Sequence, residues 1–457
     1  LRPIELSMQS LLHPLIAPAI ALVLLVVLIT RVKLPPFLAL ILTSVFLGCS
    51  AGLAPTAVIK SFEKGFGSIL SSVGLVVGLG TMLGGLLLES GGANRIADTF
   101  IGLGSKRWIP AAICAASLLI GLPHLFDVSF VMLVPLVYAI ANRTKSPLLA
   151  VGIPMAAGLY VSHGLLPPHP SPTLALAALH ADAGRTIFYG LVIAVPMAIL
   201  SGPLFTAFTL RFLPATPGEA MFNPAPADAT RAARPVPAFG LVLVTVLLPP
   251  VLMMIRTFGR DLLPAGTFSR ELLETIGDPI VSLLIAVLFA IWSLGIRSGL
   301  KLAQIQTLLG RSVAPGAGVI LILGAGGGLK EMLIATHLSD AIAHAATQWS
   351  LSPLVLGWAV AAVIRIAIGS ATVATATAAG IVAPIAAATP GVNLELLVLA
   401  VSSGGLMLSH LNDSGFWLFK EYFRLSVGDT LKTWTLLVSF QSLVALAMIM
   451  LLNAVVG

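Results

Sequence analysis

The sequence predicts an all-α polytopic membrane protein made of two repeated, inverted halves, each holding a re-entrant hairpin and a broken helix. Composition, the recurrence of spanning-length apolar runs and an internal match between the halves predict it. Of the 457 residues, 58% are hydrophobic and only 9% charged, with a mean hydropathy of +1.04. A soluble domain carries about 25% charged residues, so this chain is not built to face water. Apolar runs near the roughly 20 residues a spanning helix needs recur at Leu11–Thr30, Ala238–Ile255, Ile280–Leu294 and Trp434–Leu452.

The internal match appears when Gly158 is laid on Gly405. Ser162-His163 then falls on Ser409-His410. With short gaps, Gly78 and Gly80 meet Gly324 and Gly326, Leu83 meets Leu329, and Ile96-Ala97 meets Ile342-Ala343. Duplication of this kind in a helical membrane protein is the mark of a secondary transporter, whose site lies between the repeats near the midplane.

In chain order, residues 1–66 supply N-terminal spans, and Leu11–Thr30 is long enough to be the first of them, so no cleavable leader is expected; Met8 is a candidate natural start. The first repeat, 67–213, contains a Gly-rich helix (68–88), a polar-faced helix (92–103), a hairpin over 109–141 and a broken helix over 147–172. The stretch 214–310 carries polar loops at 214–236 and 256–278, the second with a surface helix, around spans 237–255 and 278–296. The second repeat, 311–457, repeats the order: a Gly-rich helix (315–334), a polar-faced helix (338–347), a hairpin over 352–388, a broken helix over 394–415 and a last span over 433–456. Thirty-three residues with a small-residue break at the centre suit two half-helices meeting at a tip inside the membrane. Such a tip survives only where protein or a watery cavity satisfies its backbone groups.

Four interruptions carry the chemistry: "GLPHLFDVS" (121–129), "PPHPSP" (167–172), "GSATVAT" (369–375) and "NDSG" (412–415). Half-helices beginning at a break expose unpaired N–H groups and the positive end of a dipole, which favours an anion. Ser171, Ser370, Thr372 and Ser414 add hydroxyl donors, and Arg365, four residues before Gly369, could clamp a carboxylate bidentately. Gly121, His124, Asp127, Ser129, His169, Asn412 and Asp413 complete the candidate binding set. For proton coupling the candidates are Asp127, His163, His169 and Asp413, because histidine titrates near physiological pH and intramembrane ionisable groups are costly. His169, which has no counterpart in the second half, is the preferred histidine. Sodium held by Asn412 and Asp413 oxygens is the rival coupling ion.

Plainer roles stay open at this point. Arg365 could pair with a structural acid or snorkel, Asp127 and Asp413 could cap helix starts, and His163 and His410 could be hydrogen-bonded core residues. Glu89 and the pair Lys330-Glu331 read as interfacial or interdomain pairs, and Gly80 and Gly84 as a close-packing helix face. Cys49 and Cys114 read as buried free thiols. The formal charge of +7 fits Lys and Arg in cytoplasmic loops and requires no nucleic acid. His163 and His169 lack the helical spacing that puts two histidines on one metal, which disfavours an intramembrane metalloenzyme; no metal or cofactor is expected. A channel is disfavoured because no continuous polar stripe runs along the chain.

The stretches "GLPHLFDVSFVMLVPLVYAIA", "GIPMAAGLYVSHGLLPPHPSP", "RIAIGSATVATATAAGI" and "LSHLNDSGFWLFKEYFRLSVGDTLKTWT" resemble the gluconate permease family of sugar-acid:proton symporters, in the ion transporter superfamily. The resemblance covers most of the chain and is weakest at the N-terminus and over 214–278. It implies a transport domain moving elevator-fashion against a scaffold, in a homodimer of the inner membrane. The site would form from 121–129, 166–172, 369–375 and 412–415, and the substrate would be gluconate or a related sugar acid carried with protons. Family members also carry other hexonates and D-serine, which keeps a small amino acid as the alternative. The chain departs from the family pattern at His124, at Asp127, where Glu is more usual, and at Ser129 and Ser171, where Gly is more usual. These departures bear on which substrate is taken.

Overall fold

The computed structural model describes residues 8–92, 108–121, 126–167, 169–212, 236–259, 262–336 and 351–456, with Arg95, Asp98 and Leu338. The tip residue His124, most of the polar-faced segments 92–103 and 338–347, and nearly all of the linker 214–236 lie outside the described residues. All regular structure among the described residues is helical. Eight of the described helices are long and apolar enough to cross a membrane by length and composition.

One group of helices is organised by the long helix Leu302–Ala335, which packs against Pro36–Ser50, Pro55–Ile69 and Leu75–Glu89. Pro36 and Pro55 stand in the first turns of their helices, where the missing N–H costs nothing. The glycine-rich pattern of the long helix is explained by how closely Pro55–Ile69 approaches it. A Cβ added at Gly327 would lie 2.5 Å from the Gly65 carbonyl oxygen, and one at Gly324 or Gly328 would strike Phe66 or Phe62. The expected close packing at Gly80 is also present, with its neighbour Val131 across the interface.

A second group surrounds two buried helices. Leu148–Leu165 packs along Ile109–Gly121 and Phe126–Thr144, while Leu394–Gly404 is enclosed by Pro353–Ile368, Pro170–Leu179 and Leu436–Val456. The span containing Leu148–Leu165 is 89% buried, against 33% for Phe239–Arg256, which places the former at the centre and the latter at the rim. Rim helices turn side chains such as Val244 and Leu288 outward; in a bilayer these meet acyl chains, whereas in water they would be an association surface.

Two helices end in the interior. Ile109–Gly121 has 13 residues and Pro353–Ile368 has 16, so at 1.5 Å per residue they reach roughly 20 to 24 Å, short of the roughly 30 Å hydrocarbon core. In the polar stretch 256–278, Phe268–Ile276 forms a helix with no buried residue. Asp278 then caps Pro279–Ala290 by accepting from the N–H of Ile280 at 3.0 Å.

Cys114 is buried and donates to the Ala198 carbonyl at 3.4 Å, but Cys49 is exposed, which corrects the expectation of two buried thiols. The buried stripe of Pro36–Ser50 runs through Ala39, Leu40, Thr43, Ser44, Leu47 and Gly48. Position 49 falls beside that stripe, because successive helical residues are about 100° apart.

Candidate substrate cavity at the broken helices

The break after Pro353–Ile368 is made by Gly369, whose φ of +81° is a left-handed conformation that costs other residues dearly. Its N–H bonds back to the Arg365 carbonyl at 2.8 Å. The Ile366 and Ala367 carbonyls of that last turn, which lack partners at a helix end, are taken by the second break. His410 Nε2 and Asn412 Nδ2 both donate to Ile366, each at 2.9 Å, and Asn412 Nδ2 also reaches Ala367 at 3.3 Å. A Cβ at Gly369 would sit 2.2 Å from the Asn412 carbonyl oxygen. The two interruptions are thus seated on each other.

Beside them lies a cavity of about 180 Å³. Three helix N-termini open onto it. Asp127 lies in the first turn of Phe126–Thr144, Ser370 is the N-cap of Ala371–Ala388, and Asp413 is the N-cap of Ser414–Tyr422. Ser370 spends its hydroxyl on its own helix, accepting from Val373 N–H at 3.4 Å. Asp413 does not cap its helix with its side chain; its carboxylate turns to Arg365 instead.

That pair is the electrostatic centre of the wall. Arg365 is 1% exposed and donates through Nη2 to Asp413 Oδ2 at 2.6 Å and to the Tyr160 hydroxyl at 3.0 Å. Ser409 donates to the same carboxylate oxygen, and Trp434 Nε1 holds Ser409 by donating to its hydroxyl at 2.7 Å. Of the plainer roles, pairing with an acid is the one Arg365 adopts, while Asp413 is not a simple side-chain cap. Behind the pair, Phe126, Tyr160 and Trp434 pack as an aromatic wall, with centroid separations of 4.9 to 5.2 Å.

The structure brings Asp127, His163, Arg365, Gly369, Ser370, Thr372, Asn412, Asp413 and Ser414 to this one cavity. Asp127 lines the cavity alongside Ser414 and makes no ion pair among the described residues. Gly121, Ser129, His169 and Ser171 stand outside the lining. His169 is buried, with Nε2 at 2.8 Å from the Gly121 carbonyl and its ring edge-on to His163 at 5.3 Å. Ser129 and Ser171 are buried hydroxyls without a partner among the described residues. His410 acts as a hydrogen-bonded core residue on Ile366.

Sequence reasoning passed over Tyr160 and Lys330. Tyr160 gave only the weak signal of lying three residues before His163 on a helix face. Lys330 was grouped with Glu331, but adjacent helical residues diverge. Glu331 pairs with Lys64 and Glu89 with Arg311 at 3.3 Å, as expected of interfacial charges, whereas Lys330 faces the cavity.

A helical membrane bundle whose broken helices direct charged groups and helix N-termini into one small cavity belongs to the class of membrane carriers. The chain belongs to the GntP family of permeases, whose family model matches residues 13–455. Relatives include the gluconate permease of Pseudomonas aeruginosa, 47% identical over 94% of this chain and 95% of that protein. The high-affinity gluconate transporter of Escherichia coli is 41% identical over 97% of this chain and 100% of that protein. The D-serine transporter DsdX of Escherichia coli is 34% identical over 96% and 97%. The chain is therefore a multi-pass membrane transport protein, in a family named for permeases and not for enzymes.

Proposed function

We propose that the chain imports gluconate or a closely related sugar acid across the inner membrane by proton symport. The supporting observation is the charge balance of the cavity. Lys330 and Arg365 contribute two positive charges, and Asp127 and Asp413 two negative ones. A bound monocarboxylate leaves the site one charge negative, and one proton restores neutrality, which lowers the cost of carrying it past hydrocarbon. Asp413 is held by Arg365, whereas Asp127 has no cation in contact, so Asp127 takes the proton. Ser370, Thr372 and Ser414 offer hydroxyls to a polyhydroxylated chain.

The movement that exposes this site to either side is an elevator motion of the two repeats against a scaffold of 1–66 and 214–310, within a homodimer. The two interior helix ends and the mutual seating of the second pair of breaks support re-entrant hairpins at 109–141 and 352–388.

D-serine is the second reading, favoured by the free carboxylate of Asp127, which could take an ammonium group. A zwitterion would fill the same cavity without a proton. Purified protein in proteoliposomes separates the readings. Acid-outside vesicles are expected to accumulate labelled gluconate, with related hexonates competing and D-serine competing weakly. Absence of acid-driven uptake for every carboxylate tested would sink the proposal, and uptake of D-serine independent of the pH gradient would favour the second reading.

A further inference from the structure

We propose that Lys330, on the long helix Leu302–Ala335, is the group that takes the carboxylate of the substrate; this rests on the sugar-acid reading above. Arg365 is the anchor a sequence would choose and it lines the cavity, but its geometry favours a role in the wall. Nη2 is committed to Asp413 and Tyr160, and Nε and Nη1 are sealed in the wall without partners. A guanidinium held this way stabilises Asp413 and presents no fork to a ligand. Lys330 lines the same cavity, is half-buried and makes no ion pair among the described residues.

Its surroundings aim it inward. The neighbouring Glu331 is neutralised by Lys64 on a different helix, so it draws on Lys330 only through space, as do Asp127 and Asp413. A helical side chain leans over the preceding turn, and for Lys330 that turn is Gly326-Gly327, both of which also line the cavity. At Gly326 the nearest atom to an added Cβ would be Trp417 at 3.7 Å, so that position leaves room for the ammonium and for an anion against it, while Gly327 is closed by the Gly65 contact. Lys330 also lies on the helix packed with Pro36–Ser50 and Pro55–Ile69. The substrate therefore bridges that helix and the broken segments, carboxylate to Lys330 and hydroxyls toward Ser370, Thr372 and Ser414.

The test crosses the charge of the residue with the charge of the ligand. Uptake of labelled gluconate into proteoliposomes is competed with gluconate and with gluconamide, its neutral amide. Wild-type protein is expected to prefer gluconate at least ~10-fold, as a charge-assisted contact should. Lys330→Gln should raise the gluconate KM by about the same factor and leave gluconamide inhibition within roughly two-fold, and Lys330→Arg should retain much of the preference. Lys330→Met serves as a second neutral variant. A gluconate-to-gluconamide ratio unchanged in the neutral variants, with wild type active, overturns the assignment of Lys330 alone. Wild-type protein that transports no carboxylate overturns the sugar-acid reading and this assignment with it.

Discussion

The two aspartates of the cavity differ in what surrounds them, and this separates their expected phenotypes. Asp413 neutralises a guanidinium that is 1% exposed. Removing one partner of a buried ion pair strands the other, at about 3–5 kcal/mol. Asp413→Asn should therefore lower the unfolding temperature of the detergent-purified protein sharply as well as abolish transport. Arg365→Ala should behave alike, since Asp413 then loses its cation and Tyr160 its donor. An Arg365→Ala protein as stable as wild type would show that the pair is not structural. Asp127 has no ion-pair partner among the described residues, so Asp127→Asn should stay folded. It should exchange gluconate across the membrane by counterflow while losing accumulation driven by a pH gradient. Loss of counterflow in that variant would mean that Asp127 binds substrate and does not merely carry the proton.

At the scale of elements, the site depends on two interruptions that complete each other. At the end of Pro353–Ile368 the Ile366 and Ala367 carbonyls are bonded by His410 and Asn412, and Gly369 lets the backbones come into contact. Gly369→Ala puts a methyl group 2.2 Å from the Asn412 carbonyl oxygen and forces an unfavourable φ costing on the order of 1–3 kcal/mol. Gluconate uptake should fall to background, with a smaller loss of thermal stability than Asp413→Asn causes. Wild-type uptake by Gly369→Ala would mean the two segments separate during transport and need no close seating. The contact between Gly65 and Gly327 is of another kind, a helix crossing that positions Lys330.

For the molecule as a whole, the formal charges of the two basic and two acidic side chains lining the cavity, Lys330, Arg365, Asp127 and Asp413, sum to zero. If one monocarboxylate enters with one proton, the loaded and empty carriers cross the membrane with the same charge. Initial gluconate uptake at a fixed pH gradient should then be unchanged when a potassium diffusion potential is imposed with valinomycin. Uptake that rises with a negative interior would require more than one proton per substrate.

Composition and the length of the apolar runs determine by themselves that the chain is a helical membrane protein, because burying charge in hydrocarbon is costly at any arrangement of helices. The positions of the breaks were legible too. Proline, glycine and capping residues act on their own backbone, so "NDSG" and the glycine at 369 mark interruptions without reference to neighbours. What the tertiary structure alone decided is how those interruptions meet. It made Arg365 a partner of Asp413 sealed in the wall, left His169 outside the cavity on the Gly121 carbonyl, and brought Lys330 into the same cavity from a helix with no break near it. Ion pairing and access depend on distances between segments remote in the chain, and local sequence pattern carries no such distances.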